Sequence, residues 1–136
     1  MRETPLRFLL VDDSGEDRLL TRLIFKRHGL ANPIEEVETA AAALQRLNDR
    51  DAPPIDVLLL DALLPDLPGE EVARRVADTP HLAHVAVIIL SALGEGAMKA
   101  PPGEMVRGVL QKPLPVDTML RILHKSLASQ VTVTRA

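Results

Sequence analysis

The apolar run Val57-Leu58-Leu59-Leu60 is closed by a carboxylate, Asp61, and three other short runs close in a similar way. Residues 6–11 lead into Asp12-Asp13, residues 85–90 into Ser91, and Val106–Gln111 into Lys112-Pro113. Runs this short and this apolar read as strands buried on both faces, the habit of a parallel sheet. If the strands are parallel, two acids, one acid, a hydroxyl and an ammonium gather on one edge of one sheet. A carboxylate placed there is costly to keep charged unless a neighbour offsets it.

The segments between the runs have helical character. Residues 16–27 carry Leu19, Leu20, Leu23 and Ile24 as an apolar stripe, with Arg18, Arg22 and Lys26 off it as a solvated face, and Gly29 is the expected stop. Ile34–Val37 is a weak peripheral strand, and Thr39 is the expected cap of a helix over Ala40–Leu47. Residues 55–60 form the most apolar strand, placed centrally. Gly69–Ala77 is a helix with Glu70–Arg74 and Glu71–Arg75 at favourable spacing. Strands follow over residues 85–90 and 106–110. The last helix starts near Pro115, with Val116, Met119, Leu120, Leu123 and Leu127 as its core stripe. Strands alternating with helices define an α/β fold with helices on both faces of a parallel sheet. Binding sites in such sheets lie beyond the carboxyl ends of the strands. That rule selects Asp12, Asp13, Asp61, Ser91 and Lys112.

A chain of 136 residues accommodates one domain, with a core over about residues 6–127 and a loose tail at 129–136. Two phenylalanines are its whole aromatic content, so the core is aliphatic. A net charge of -3 gives no basic surface for nucleic acid. Cysteine is absent, which excludes disulfides and thiol chemistry. No leader pattern is visible, and no apolar run approaches the roughly 20 residues of a membrane helix. A soluble, cytoplasmic protein is the expectation.

Three carboxylates crowded together require either that one is protonated or that a cation sits among them. A hard cation with oxygen ligands, Mg²⁺, suits such a set. With a lysine and a hydroxyl alongside, the site suits a dianionic phosphoryl group, and Asp61 is the best placed nucleophile. Taken singly, each residue has a plainer reading. Asp12-Asp13 could open a helix, Asp61 could serve a turn, Ser91 could bond backbone, and Lys112 could be a solvated loop lysine. Their coincidence on one edge favours chemistry. His81 and His84 lack an evident third ligand and read as exposed connection residues, as His28 and His124 do near helix ends.

Val11-Asp12-Asp13, Asp61 with Pro65 and Gly69 after it, Ser91-Ala92 and Lys112-Pro113 occur in this order and spacing. Together they resemble the receiver domains of bacterial two-component response regulators, of the stand-alone type. The resemblance spans residues 6–127. It implies a flavodoxin-like, doubly wound sheet of five parallel strands in the order 2-1-3-4-5. It implies that Asp61 accepts a phosphoryl group from a phosphohistidine on a sensor histidine kinase or histidine phosphotransfer protein. Asp13, Asp61 and the Leu63 backbone carbonyl would bind Mg²⁺ directly, with Asp12 acting mostly through water. Lys112, Ser91 and the Ala92 backbone would hold phosphoryl oxygens, and the Lys112–Pro113 peptide would be cis. Arg18 and Arg22 lie on the helix where the family meets its histidine-bearing partner.

The chain departs from the family in two places. Val109 stands where the family carries Tyr or Phe, so the aromatic relay to the surface is missing. Residues 93–105 contain Gly94, Gly96, Pro101, Pro102 and Gly103, so the helix expected between the fourth and fifth strands is short or irregular. The apolar Leu63 and Leu93 beside the phosphoryl site cannot orient an attacking water, so slow loss of the phosphoryl group is expected. With no output domain in the sequence, output would run through protein–protein contact, phosphorelay or removal of phosphoryl groups from a kinase as a sink, with a homodimer possible. The alternatives are a binding module of this fold that no longer signals by phosphorylation, or a phosphatase of the haloacid dehalogenase type. The phosphatase needs a second aspartate where Leu63 stands.

Overall fold

The structure, a computed structural model, describes residues 5–93 and 105–127. Its elements run β1 (Phe8–Val11), α1 (Gly15–Arg27), β2 (Ile34–Val37), α2 (Ala40–Leu47), β3 (Val57–Asp61), α3 (Gly69–Ala77), a short 3₁₀ turn (Pro80–Leu82), β4 (Ala86–Ser91), β5 (Val106–Gln111) and α4 (Val116–Leu127). All strand pairs are parallel, and the sheet order is β2-β1-β3-β4-β5. This is the doubly wound architecture and strand order expected from the resemblance. The expected short helix within 93–105 and the tail at 129–136 lie outside the described residues, save Leu93 and Met105 at the segment's ends.

Side-chain alternation along the strands divides the interior into two layers. Leu9, Val11, Leu58, Leu60, Val87 and Ile89 pack under α2 and α3, against Ala43, Leu47, Val72 and Val76. Phe8, Leu10, Val57, Leu59, Ile88 and Leu90 pack under α1 and α4, against Phe25, Met119 and Leu123. The two aromatics meet edge to face in this second layer, with ring centroids 5.0 Å apart. β2 is peripheral, and its two glutamates are tied to opposite sides. Glu35 accepts from Arg7 and Arg46, and Glu36 from Arg18 and Arg22. Paired charges on an outer strand blunt its tendency to recruit another chain.

α1 departs from the expected stripe. Its buried residues are Thr21 and Phe25, with Ile24 packed beside them, whereas Leu19, Leu20 and Leu23 are 44–47% exposed. The helix is rotated because a polar residue occupies a core position. The Thr21 hydroxyl donates to the Asp17 carbonyl at 3.0 Å and so enters the interior already satisfied. Arg18 does not form a solvated face either. It donates to Glu36 at 3.1 Å, to Glu38 at 3.3 Å and to the Asp12 carbonyl at 2.7 Å. The helix ends as expected at Gly29 (φ 68°), with Leu30 N–H on the Phe25 carbonyl and Gly29 N–H on the Lys26 carbonyl.

On α3, Glu71 takes both Arg74 and Arg75. The expected Glu70–Arg74 pair does not form, and Glu70 instead borders the cleft beside Asp61. His84 is not a free connection residue, since its Nε2 lies 3.0 Å from the Ile55 carbonyl. No helix among the described residues is long and apolar enough to cross a membrane.

Candidate functional site

Asp12 follows β1 and stays in the ladder, its N–H donating to the Val37 carbonyl at 3.1 Å. Asp61 is the last residue of β3, and Lys112 continues β5 with its N–H on the Ser91 carbonyl at 2.9 Å. Three adjacent or near-adjacent strands thus deliver their terminal polar groups to one point at the carboxyl edge. The structure brings together the residues that the sequence selected. Carboxylate oxygens of Asp12, Asp13 and Asp61 all lie within 4.8 Å of one another, the one acidic cluster of this kind among the described residues. Asp12 is 2% exposed and Asp61 9% exposed, while Asp13 opens to solvent.

Lys112 spans the cluster. Its Nζ donates to Asp12 Oδ2 at 2.8 Å, to Asp17 Oδ2 at 2.9 Å and to Asp61 Oδ2 at 3.2 Å. Burial alone would lower the ammonium's pKa, but these carboxylates outweigh it and raise the group above its ordinary value. Asp61 is pushed the other way from most paired carboxylates. Burial raises its pKa, and the neighbouring Asp12 charge adds to this. The Leu63 N–H at 3.1 Å and Lys112 offset only part. A carboxyl raised in the folded state contributes stability that is complete below its unfolded value and is lost as pH rises through the folded value. Asp61→Asn is therefore expected to melt above the wild type at neutral pH and level with it in acid. A scan of melting temperature against pH checks this, and a variant that melts lower at neutral pH would contradict it.

A cleft of about 380 Å³ opens beside Asp61, lined by Asp61, Leu63, Glu70, Ser91, Leu93 and Lys112 among others. Leu63 and Leu93 are 79% and 76% exposed at its rim. Ser91 is buried, and its hydroxyl accepts from Leu93 N–H at 3.1 Å rather than touching Asp61. The Ala92 carbonyl accepts from the Gln111 side-chain amide at 3.2 Å. The Lys112–Pro113 peptide is cis, as the resemblance implied. Val109 packs half-buried toward the α2–α3 layer.

Three residues of this neighbourhood were not selected from the sequence. Asp17 lies in the first turn of α1, where an acidic residue suits a helix N-terminus, and only the fold brings it to Lys112. Arg18 braces the Asp12 carbonyl. Asp66, in the loop after β3, accepts from the Ala40 and Ala41 N–H groups at 2.9 Å each and ties that loop to the start of α2. Those N–H groups hold the Asp66 carboxyl below its ordinary pKa.

Comparison with known proteins agrees with this geometry. A relative from Oryza sativa subsp. japonica, two-component response regulator ORR41, is 34% identical over 76 residues, covering 56% of this chain and 59% of its own. The chain spans only 12% and 18% of two further, longer relatives. The bacteriophytochrome response regulator AtBRR superposes with a TM-score of 0.80 at 25% identity, over 97% of this chain and 99% of that one. The Mn²⁺-bound form of response regulator Rcp1 superposes at 0.71 and 24% identity, over 96% and 99%. The family model for the response regulator receiver domain matches residues 8–124, and the chain belongs to that family.

Proposed function

We propose that this protein is a phospho-accepting receiver in which Asp61 takes a phosphoryl group from a phosphohistidine of a sensor histidine kinase or histidine phosphotransfer protein. One observation carries the reading. In a chain of the receiver family, the Asp12, Asp13 and Asp61 carboxylates converge within 4.8 Å at the strand ends, with the Lys112 ammonium 3.2 Å from Asp61. An all-oxygen cluster of this charge fits a hard divalent cation. Asp13, Asp61 and the Leu63 carbonyl would hold Mg²⁺, with Asp12 acting through water. When bound, the ion would neutralise charge on the carboxylates and on the phosphoryl oxygens. The Mn²⁺ of the Rcp1 structure supports this for the fold. Lys112, Ser91 and the Ala92 N–H would receive the phosphoryl oxygens.

The same reading makes the chain a signalling module rather than an enzyme. Its output passes through protein–protein contact or phosphorelay in the cytoplasm, without nucleic acid, and a homodimer is compatible with it. The exposed Leu19, Leu20 and Leu23 on α1, of which Leu20 shares a cleft with Lys112, offer an apolar surface to the phosphodonor protein.

Intact mass after incubation with acetyl phosphate and Mg²⁺ tests the proposal. A single phosphoryl adduct is expected on the wild type and none on Asp61→Asn or with EDTA. An adduct that survives Asp61→Asn would overturn the assignment. No adduct from either acetyl phosphate or a phosphorylated kinase would favour the binding-module reading, which Val109 in place of an aromatic residue also favours. Because Leu63 and Leu93, exposed at the rim of the cleft, carry no group that could orient water, the adduct is expected to decay over minutes or longer. A half-life of seconds, followed by the same mass measurement after donor removal, contradicts this.

A further inference from the structure

An ammonium has three N–H donors. On Lys112 all three are committed within the chain, to Asp12, Asp17 and Asp61. A phosphoryl group on Asp61 brings new anionic oxygens to the same point. Once Asp61 carries the phosphoryl group it is no longer a free carboxylate, and its Lys112 donor passes to a phosphoryl oxygen. A second donor reaches the phosphoryl group only by leaving Asp12 or Asp17. The side chain of Asp12 is 3% exposed, whereas that of Asp17 is 44% exposed. A carboxylate abandoned in the interior loses its compensation, while one at the surface is taken over by water. Asp12 is further committed, with Oδ1 accepting the Ser14 N–H at 2.9 Å.

Asp17 is also held in place independently of Lys112. Its N–H donates to the Ser14 cap at 3.2 Å in the first turn of α1. Its side chain borders a second cleft, of about 310 Å³, with Leu20, Thr21, Lys112, Pro113 and Leu114, where water has access.

Resting on the reading of Asp61 as the phosphoryl acceptor, we propose that Asp17 is a positioning residue that restrains Lys112 toward α1 and is the acceptor Lys112 gives up on phosphorylation. The step itself is simple. An Asp61 carboxylate oxygen forms a bond to phosphorus, the bond from phosphorus to the acetyl oxygen breaks, and acetate departs with its electron pair. Charge and protons balance without a further reactant. Asp17 slows this step twice over, by withholding one Lys112 donor and by adding a fourth negative charge near the approaching dianion.

The test compares adduct formation by intact mass for wild type, Asp17→Ala, Asp17→Asn and Asp17→Glu at fixed acetyl phosphate and saturating Mg²⁺. The ¹⁵N signal of the Lys112 ammonium is recorded on the same unphosphorylated proteins. Asp17→Ala and Asp17→Asn are expected to react roughly three- to fivefold faster, the worth of one partly exposed ion pair. Their Lys112 signal should shift, and Asp17→Glu should return both readouts toward wild type. Thermal melting identifies a variant that fails to fold, and two neutral variants guard against that loss. Equal or slower reaction in the neutral variants, with an adduct still formed, overturns the restraint alone. Absence of an adduct in every protein, with acetyl phosphate and with a phosphorylated histidine kinase as donor alike, overturns the reading of Asp61 and the inference with it.

Discussion

Replacing Lys112 with alanine is expected to slow phosphorylation of Asp61 by roughly 10²–10³-fold, the usual cost of removing one donor aimed at developing negative charge. The same change should lower stability at neutral pH. It strips the ammonium from Asp12, Asp17 and Asp61. Breaking a fully buried pair costs about 3–5 kcal/mol. Lys112 is 21% exposed, which lets water and ions compensate, so about 1–3 kcal/mol is expected here. The pH dependence has a definite sign. The Lys112 pKa is raised in the folded state, so its contribution is complete below the unfolded lysine value and is lost in alkali as pH rises through the folded value. The wild type should therefore show an alkaline loss of stability that the variant lacks. In the variant, the unbalanced carboxylates should weigh less as pH falls and Asp61 takes up a proton. Added Mg²⁺ should restore part of the lost melting temperature. Melting curves from acid to alkali, with and without Mg²⁺, check each of these. A variant as stable as the wild type at neutral pH and phosphorylated at a similar rate would contradict the role of Lys112.

Gly69→Ala is expected to destabilise the protein by about 2–3 kcal/mol, the upper part of the range for overpacking. A Cβ at this position would lie 2.6 Å from the Asp61 carbonyl oxygen and 3.0 Å from Ala62 Cα. Both neighbours are backbone and cannot rotate away. Gly69 N–H also donates to the Ala62 carbonyl at 2.9 Å, so the start of α3 is pinned against the end of β3. Relief of the clash must displace either α3 or the strand end that carries Asp61. Phosphorylation should therefore slow along with the loss of stability, whereas a core substitution far from the site should cost stability alone. Denaturant unfolding paired with the mass assay separates the two. Unchanged stability in Gly69→Ala would show that the helix start yields more easily than the contact distances imply.

The legibility of this chain follows a pattern. Asp12, Asp61, Ser91 and Lys112 were readable because each closes an apolar run, and the ends of parallel strands meet on one edge whatever the intervening loops do. Cap residues were readable for a local reason. Thr39 bonds the Ala42 N–H three residues on, and Gly29 adopts the positive φ that ends α1. The face of α1 was not readable. Its leucines outnumber its other apolar residues, yet Thr21 and Phe25 face the core, because a hydroxyl satisfied by the Asp17 carbonyl counts as interior surface.

Periodicity and run endings in the sequence determined the α/β class, the element order and the residues at the strand ends, since these depend on local geometry. The resemblance to receivers supplied the strand order. The tertiary structure alone decided what those residues touch. That Lys112 reaches Asp17 as well as Asp12 and Asp61, that Arg18 braces the Asp12 carbonyl, and that Asp66 ties the loop after β3 to α2 are contacts between residues up to 100 positions apart. Such contacts depend on how helices pack on the sheet, through the summed shape of many side chains, and no spacing along the chain encodes them.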